Sequence, residues 1–163
     1  MPLIKAGAYA RDEYAAAADD AAALPDGPVI VSLARFQKER AALIARNAAL
    51  GVRLKAEQSP ALLGEELSRL SLVVLEFPKF RDGRAFSWAR MLRTRYSFKG
   101  EIRAAGDFLY DQLAYMTRVG FDAFEVSETI TPDLFRRALA EMRTVYQPSA
   151  DGRKTIRELR AMR

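Results

Sequence analysis

LVVLEFPKFRDGRAFSWARMLRTRYSFKGEIRAA, residues 72–105, contains a full strand–loop–helix–strand unit and decides the class of the fold. Leu72 to Phe77 is a short apolar run stopped by Pro78, as expected of a strand covered on both faces. The loop KFRDGRAF follows, then a helix from Ser87 to about Tyr96, then a second strand from Glu101 to Ala105. Strand, helix and strand at this spacing make a right-handed βαβ unit with parallel strands.

The same alternation extends in both directions. Upstream, Val29 to Leu33 reads as a strand and Ala34 to Leu50 as a helix closed by Gly51. Val52 to Ala56 is the next strand, and Ser59-Pro60 offers a cap and a first-turn proline for a helix to about Leu70. Downstream, Asp107 can cap a helix that runs to Val119 and ends at Gly120, and Phe121 to Val126 is a fifth strand. Thr131-Pro132 starts a last main helix with Phe135, Ala138, Leu139, Met142 and Val145 on its inner side, near period 3.6. The expected fold is α/β, a mainly parallel sheet of about five βα units. Five units are too few for an eight-fold barrel. An open three-layer sandwich is the first choice and an incomplete βα barrel the alternative.

The length of 163 residues suits a single domain. Residues 28–147 form its expected core. Residues 1–27 read as peripheral, with an edge strand between Leu3 and Tyr9 and an Ala-rich helix or linker before Pro25. Residues 148–163 form a polar, basic tail, mobile and exposed, in which Thr155-Ile156-Arg157-Glu158 matches a capping box.

Composition excludes several chemistries. The chain has no cysteine and no histidine, which removes disulfides, thiolate nucleophiles, Cys- or His-ligated haem and clusters, the usual zinc sites and a Ser-His-Asp triad. No metal or cofactor is expected. Neither GxGxxG nor GxxxxGK[ST] occurs. Net charge is +5, which favours phosphates, sulfur oxyanions or acidic proteins as partners. No apolar run has the length of a membrane span and no secretory leader is evident, so the cytoplasm is the expected location. Aromatics interleave with the bases from Phe77 to Phe98, a pattern also used for single-stranded nucleic acid. Phe77 and Trp88 sit at element ends, where core packing is the commoner role, so nucleic acid is disfavoured.

Between Glu76 and Glu125 lie nine Lys and Arg residues. Lys55, Glu76, Arg103 and Glu125 fall near strand exits, where parallel folds bind ligands. Arg103 placed between Glu76 and Glu125 could form the polar floor of a pocket, or an ion-pair network that fixes strand register. Asp82-Gly83 suggests a tight turn that gathers Lys79, Arg81 and Arg84, with Ser87 opening a helix whose free N–H groups can hold an anion. Arg93 is the natural side chain to reach inward from that helix. Asp107 and Asp111 lie four apart and could hold magnesium or receive an arginine, with Gln112 in the same group; an N-cap and a surface pair are the plainer roles. Glu101 completes the supporting carboxylates. These positions predict an anion-binding or partner-docking rim shared by Arg84, Arg93 and Arg103.

The blocks FPKFRDGR, GEIRAAGD and GFDAF resemble an uncharacterised bacterial family, domain of unknown function 934. Its members are labelled as sulfite-reduction oxidoreductases or auxiliary proteins, on the ground of neighbouring sulfite reductase genes. The resemblance implies an auxiliary role in assimilatory sulfite reduction, with a sulfite reductase component as partner, and offers no catalytic residue to transfer. The alternative reading is a small enzyme or sensor that binds a sulfur or phosphate oxyanion in an Arg-lined pocket.

Overall fold

The computed structural model describes residues 1–141 and 144–162; Met142, expected on the last main helix, lies outside them. A hairpin comes first, β1 (Leu3–Lys5) and β2 (Ala8–Ala10), then the two-residue β3 (Ala15–Ala16). The alternating part runs β4 (Val29–Ser32), α1 (Leu33–Lys38), α2 (Arg40–Ile44), β5 (Leu50–Leu54), a 3-10 stretch over Pro60–Arg69, and β6 (Leu72–Phe77). It continues with α3 (Arg84–Thr94), β7 (Glu101–Gly106), a 3-10 turn at Tyr110–Gln112, α4 (Leu113–Val119), β8 (Ala123–Glu125) and α5 (Pro132–Glu141). A short α6 (Ile156–Ala161) closes the described chain.

All eight strands form one sheet in the order β2-β1-β8-β7-β6-β5-β4-β3. From β3 to β8 every pairing is parallel, and β1 and β2 add an antiparallel edge. The class and the mainly parallel sheet are as the sequence indicated. The three-layer sandwich is not. Strands β4 to β8 lie side by side in chain order, and right-handed crossovers that always advance one way pass over the same face. Val29, Val31, Val52, Leu54, Val73, Leu75, Ile102, Ala104 and Phe124 point to that face and pack with helix residues such as Phe36, Ala89, Leu92, Met116 and Phe135. A second helical layer would need a reversal of strand order, which the sheet lacks.

Chain length then forces the sheet to curl. β2 and β3 are its two edges, seven strand spacings or about 34 Å apart if the sheet were flat. Only residues 11–14 join them, and five Cα steps reach at most about 18 Å. The sheet is therefore a half-barrel, the expected alternative, and residues 11–14 form a strap across its concave face. Residues 1–27 are thus not peripheral: Ile4 is in the main core, and Asp12 and Tyr14 sit over the inner face.

Several local expectations change for identifiable reasons. The Ala-rich segment is not helical. Ala15 N and Ala17 N donate to Pro28 and Ile30 carbonyls, while Arg35 and Arg46 take the Ala18, Ala21, Pro25 and Gly27 carbonyls. Short Ala-rich helices are marginal in water, so these partners prevail. Gly51 does not end a helix; it lies in β5, where a Cβ would meet Leu72 and Ile30 side chains at about 3 Å. The helix before β6 is a 3-10 stretch kinked at Gly64 rather than a regular α-helix. Ser59, Gly120 and the Thr155 box cap as read from sequence. The C-terminal segment is tied down: Arg118 pairs with Asp151 at 3.0 Å and donates to Gln147 O at 2.7 Å, and Ser149 Oγ donates to Arg118 O.

Gly106 closes β7 at φ +102, where a Cβ would lie 2.3 Å from Phe77 O. Gly106→Ala should cost about 2 kcal/mol or more in urea unfolding, since both conformation and space are denied. An unchanged midpoint would contradict this junction of β6 and β7.

Candidate functional site

The half-barrel interior is filled by charge. Side chains on the inner face form rows across the strands, set by register: Arg53 pairs with Val74, Val74 with Arg103, and Arg103 with Ala123. Glu76, Ala105 and Glu125 stand two residues further along their strands. Arg103 is fully buried at the centre. Its Nη1 and Nη2 donate to the two Asp12 carboxylate oxygens at 2.8 and 3.1 Å, and its Nε donates to Glu101 Oε1 at 3.0 Å. Glu125 lies 3.4 Å from Nη1, and the Tyr14 ring stacks 5.7 Å from the guanidinium carbon. Lys5 takes the other Glu101 oxygen at 2.6 Å.

The residue that bridges Glu76 and Glu125 is Arg53, at 3.4 and 3.2 Å, not Arg103 as expected. β5 ends at Leu54, one residue before Lys55, so Arg53 is the inward cation of that strand. Lys55 lies outside the strand, exposed, its N–H donating to Gln58. Burial alone works to raise the Asp12 carboxyl. Hydrogen bonds from Arg103 and Tyr14 N, with the charges of Arg103 and Lys5, outweigh it and hold the pKa below the ordinary carboxylate value. Burial, reinforced by Glu101, pushes the Tyr14 phenol up. Three cations face four carboxylates here, an arrangement that satisfies itself.

The other arginines expected beside Arg103 lie elsewhere. Arg93 reaches inward from the end of α3, toward the strands' N-terminal side. Its guanidinium donates to Gly120 O (3.1 Å), Phe98 O (2.7 Å) and Gly100 O (2.9 Å), and pairs with Asp122. Arg84 sits at the opposite end of α3 and forms a two-point pair with Asp82, Nε to Oδ1 at 2.9 Å and Nη2 to Oδ2 at 2.6 Å. The three arginines therefore do not share one rim.

Asp82 explains the β6–α3 loop. Its Oδ1 accepts from Arg84 N, so the carboxylate occupies the start of α3, the place where an outside anion was expected. The hydrogen bonds from Arg84 lower its pKa to about 2. Ser87 is exposed within the helix body, because α3 begins at Arg84 rather than at Ser87. Lys79 and Arg81 are exposed and have no ion-pair partner among the described residues, Arg81 lying 5.6 Å from the Phe80 ring. Pro78, Lys79, Arg81, Asp82, Gly83 and Arg84 surround a shallow depression of about 530 Å³.

Asp107 and Gln112 hold this loop in place rather than capping α4. Asp107 Oδ2 accepts from Phe80 N at 3.3 Å, and Gln112 Nε2 donates to Phe80 O at 2.8 Å. Asp111 is exposed in the 3-10 turn. Trp88 Nε1 donates to Ala56 O at 2.9 Å and fixes α3 to the loop after β5.

The outer surface of α3 is a further charged feature. Residues 83–100 contain Arg84, Arg90, Arg93, Arg95 and Lys99 and no acidic residue. Arg90, Arg95 and Lys99 are exposed and have no ion-pair partner among the described residues, as is true of Lys79 and Arg81 just upstream. Arg95 rests 5.8 Å from the Tyr96 ring.

A family model described as a bacterial protein of unknown function, DUF934, matches residues 51–157. The chain belongs to that family. In this DUF934 protein the match runs from β5 to the start of α6 and includes Arg53, Glu76, Glu101, Arg103 and Glu125, together with all of α3. Lys5, Asp12 and Tyr14, which close the ion cluster, lie before it. No curated protein matches the chain. No helix among the described residues is long and apolar enough to cross a membrane.

Sequence reasoning missed Arg53, Lys5, Asp12 and Tyr14. Arg53 had a signal, its inward parity in an apolar strand; Asp12 and Tyr14 had none, because their placement depends on sheet curvature. Two outcomes follow for the DUF934 cluster. Arg103→Met leaves three carboxylates without their common partner and should cost about 3–5 kcal/mol in urea unfolding; a cost below about 1 kcal/mol would contradict the network. The Asp12 contribution, present above the unfolded carboxylate pKa near 3.9, is lost as pH falls through its lower folded value. The stability gap between wild type and Asp12→Asn should therefore close on acidification below about pH 4. A gap that does not depend on pH would count against the pairing.

Proposed function

We propose that this protein is an auxiliary partner of assimilatory sulfite reduction, docking an acidic face of a sulfite reductase component through α3 and the loop before it. One observation carries the reading: the five exposed cations Lys79, Arg81, Arg90, Arg95 and Lys99 lie along one element and its flanks, without an ion-pair partner among the described residues, while Arg53 and Arg103 inside are paired. Complementary charge of this kind speeds encounter and selects partners. The absence of cysteine, histidine and a dinucleotide fingerprint supports a docking role over one in which the protein's own side chains carry electrons. Phe80, 40 % exposed beside Arg81, supplies an aromatic contact of the sort that anchors interfaces.

A second reading, a small enzyme or sensor of a sulfur or phosphate oxyanion, is favoured by the depression bordered by Lys79, Arg81 and Arg84. Guanidinium groups suit such anions. Arg84 is already committed to Asp82, which is why docking is preferred.

The purified protein should form a complex with sulfite reductase components that weakens steeply with added salt. Arg90→Glu with Arg95→Glu should weaken it by about tenfold or more while leaving the melting temperature in place. Deletion of the gene should impair growth on sulfate and sulfite and spare growth on sulfide. No complex, with normal growth on every sulfur source, would refute the proposal. Saturable calorimetric binding of sulfite or sulfate, lost in Arg81→Ala, would favour the oxyanion reading instead.

A further inference from the structure

Beyond Asp107, on the other side from the basic loop, the C-terminal ends of β7 and β8 open into a pocket of about 590 Å³. That volume lies in the range of small-molecule sites, about 300–1,000 Å³. The position is also the one where parallel α/β sheets place ligands, outside the carboxyl ends of the strands. The docking surface plays no part in it, so the inference does not rest on the reading above.

The pocket is built from fixed parts. Phe108 and Ile130, each 7 % exposed, form the apolar base, and Phe108 packs edge-on against Phe77 and Phe124. Leu109 and Leu134, also lining it, are among the large apolar side chains left open to solvent. The wall from Gly106 to Gln112 is held by Asp107 N donating to Phe77 O and Leu109 N donating to Gln112 Oε1. The opposite wall is held by Ile130 N donating to Ser127 O and by the hydroxyl pair Ser127 and Thr129 at 2.7 Å. A cavity between walls this well bonded does not need a ligand to form.

Its charges are unequally engaged. Tyr110 Oη donates to Glu141 Oε1 at 2.9 Å, and burial together with that bond raises the phenol pKa. Arg137 approaches the same carboxylate only through Nε, at 3.7 Å, and among the described residues its two terminal nitrogens have no ion-pair partner. Asp107 turns one carboxylate oxygen to Phe80 N. Arg137 is the cation of the lining, and it stands beside apolar side chains.

We propose that this pocket binds a small organic anion: a carboxylate or sulfonate on an aromatic or branched apolar body. The body lies on Phe108, Leu109, Ile130 and Leu134, and the anionic head takes the two terminal nitrogens of Arg137. A guanidinium recognises such a head through two parallel hydrogen bonds, which a lysine at this position could not reproduce.

Two fluorescent probes separate the apolar and ionic parts. Anilinonaphthalene sulfonate carries both; phenylnaphthylamine has the same rings without the sulfonate. The folded wild-type protein should bind each saturably at one site, the sulfonate more tightly. Leu134→Glu should weaken both by about tenfold or more. Arg137→Gln should weaken the sulfonate by about fivefold to tenfold and leave the neutral probe unchanged. Both positions are exposed, and melting curves establish that each variant remains folded. Non-saturable uptake, or binding indifferent to Leu134→Glu, would overturn the site. Equal responses of the two probes to Arg137→Gln would overturn the anionic head.

Discussion

A single buried guanidinium sets the terms for this molecule. Arg103 stands fully buried in the middle of the sheet's inner face, and taking such a charge out of water costs several kcal/mol unless carboxylates answer it. They come from β7 itself, from β8 and from the strap, and Lys5 and Arg53 hold two of those carboxylates in turn. Asp12 is in position only when the sheet has curled and residues 11–14 have crossed it. The cluster therefore specifies one curvature and one register more than it adds net stability, since ion pairs of this kind seldom outperform well-packed apolar side chains.

The same constraint divides the molecule's chemistry. Inside the half-barrel, Arg53 and Arg103 have acids as partners. Arg93 is spent on three carbonyls and Asp122, joining α3 to the loops at the foot of β7 and β8. Arg84 is spent on Asp82. What remains for the surroundings is the basic exterior of α3 and, separately, the pocket above β7 and β8. These two surfaces differ in kind. One is exposed, cationic and suited to a macromolecule; the other is concave, mostly apolar and suited to a small molecule.

The strands between Val29 and Phe124 were legible because their apolar runs and breakers are local signals. Leu72–Phe77 was read to the residue. Strand order was not legible. A sandwich and a half-barrel use the same strands and helices and differ only in whether successive crossovers reverse, a fact that periodicity does not encode. The Ala-rich segment misled because intrinsic helix preference is weak beside specific backbone partners from Arg35, Arg46, Pro28 and Ile30. At the candidate site, Glu76, Glu101, Arg103 and Glu125 were found from their cost within apolar strands. Their grouping was found only in part, because a two-residue error in the end of β5, read at Ala56 rather than Leu54, hid Arg53. Asp12 is ninety-one positions from Arg103, and nothing in its neighbourhood announces the contact.

Native-state hydrogen exchange tests the central claim most directly. Ala15 N and Ala17 N are bonded to Pro28 O and Ile30 O at the far end of the strap. If the strap and the ion cluster belong to the cooperative core, these amides open together with those of β6 and β7 and with the same dependence on denaturant. Exchange at Ala15 and Ala17 by cheap local opening, while β6 and β7 stay protected, would show that the half-barrel holds its shape without the strap.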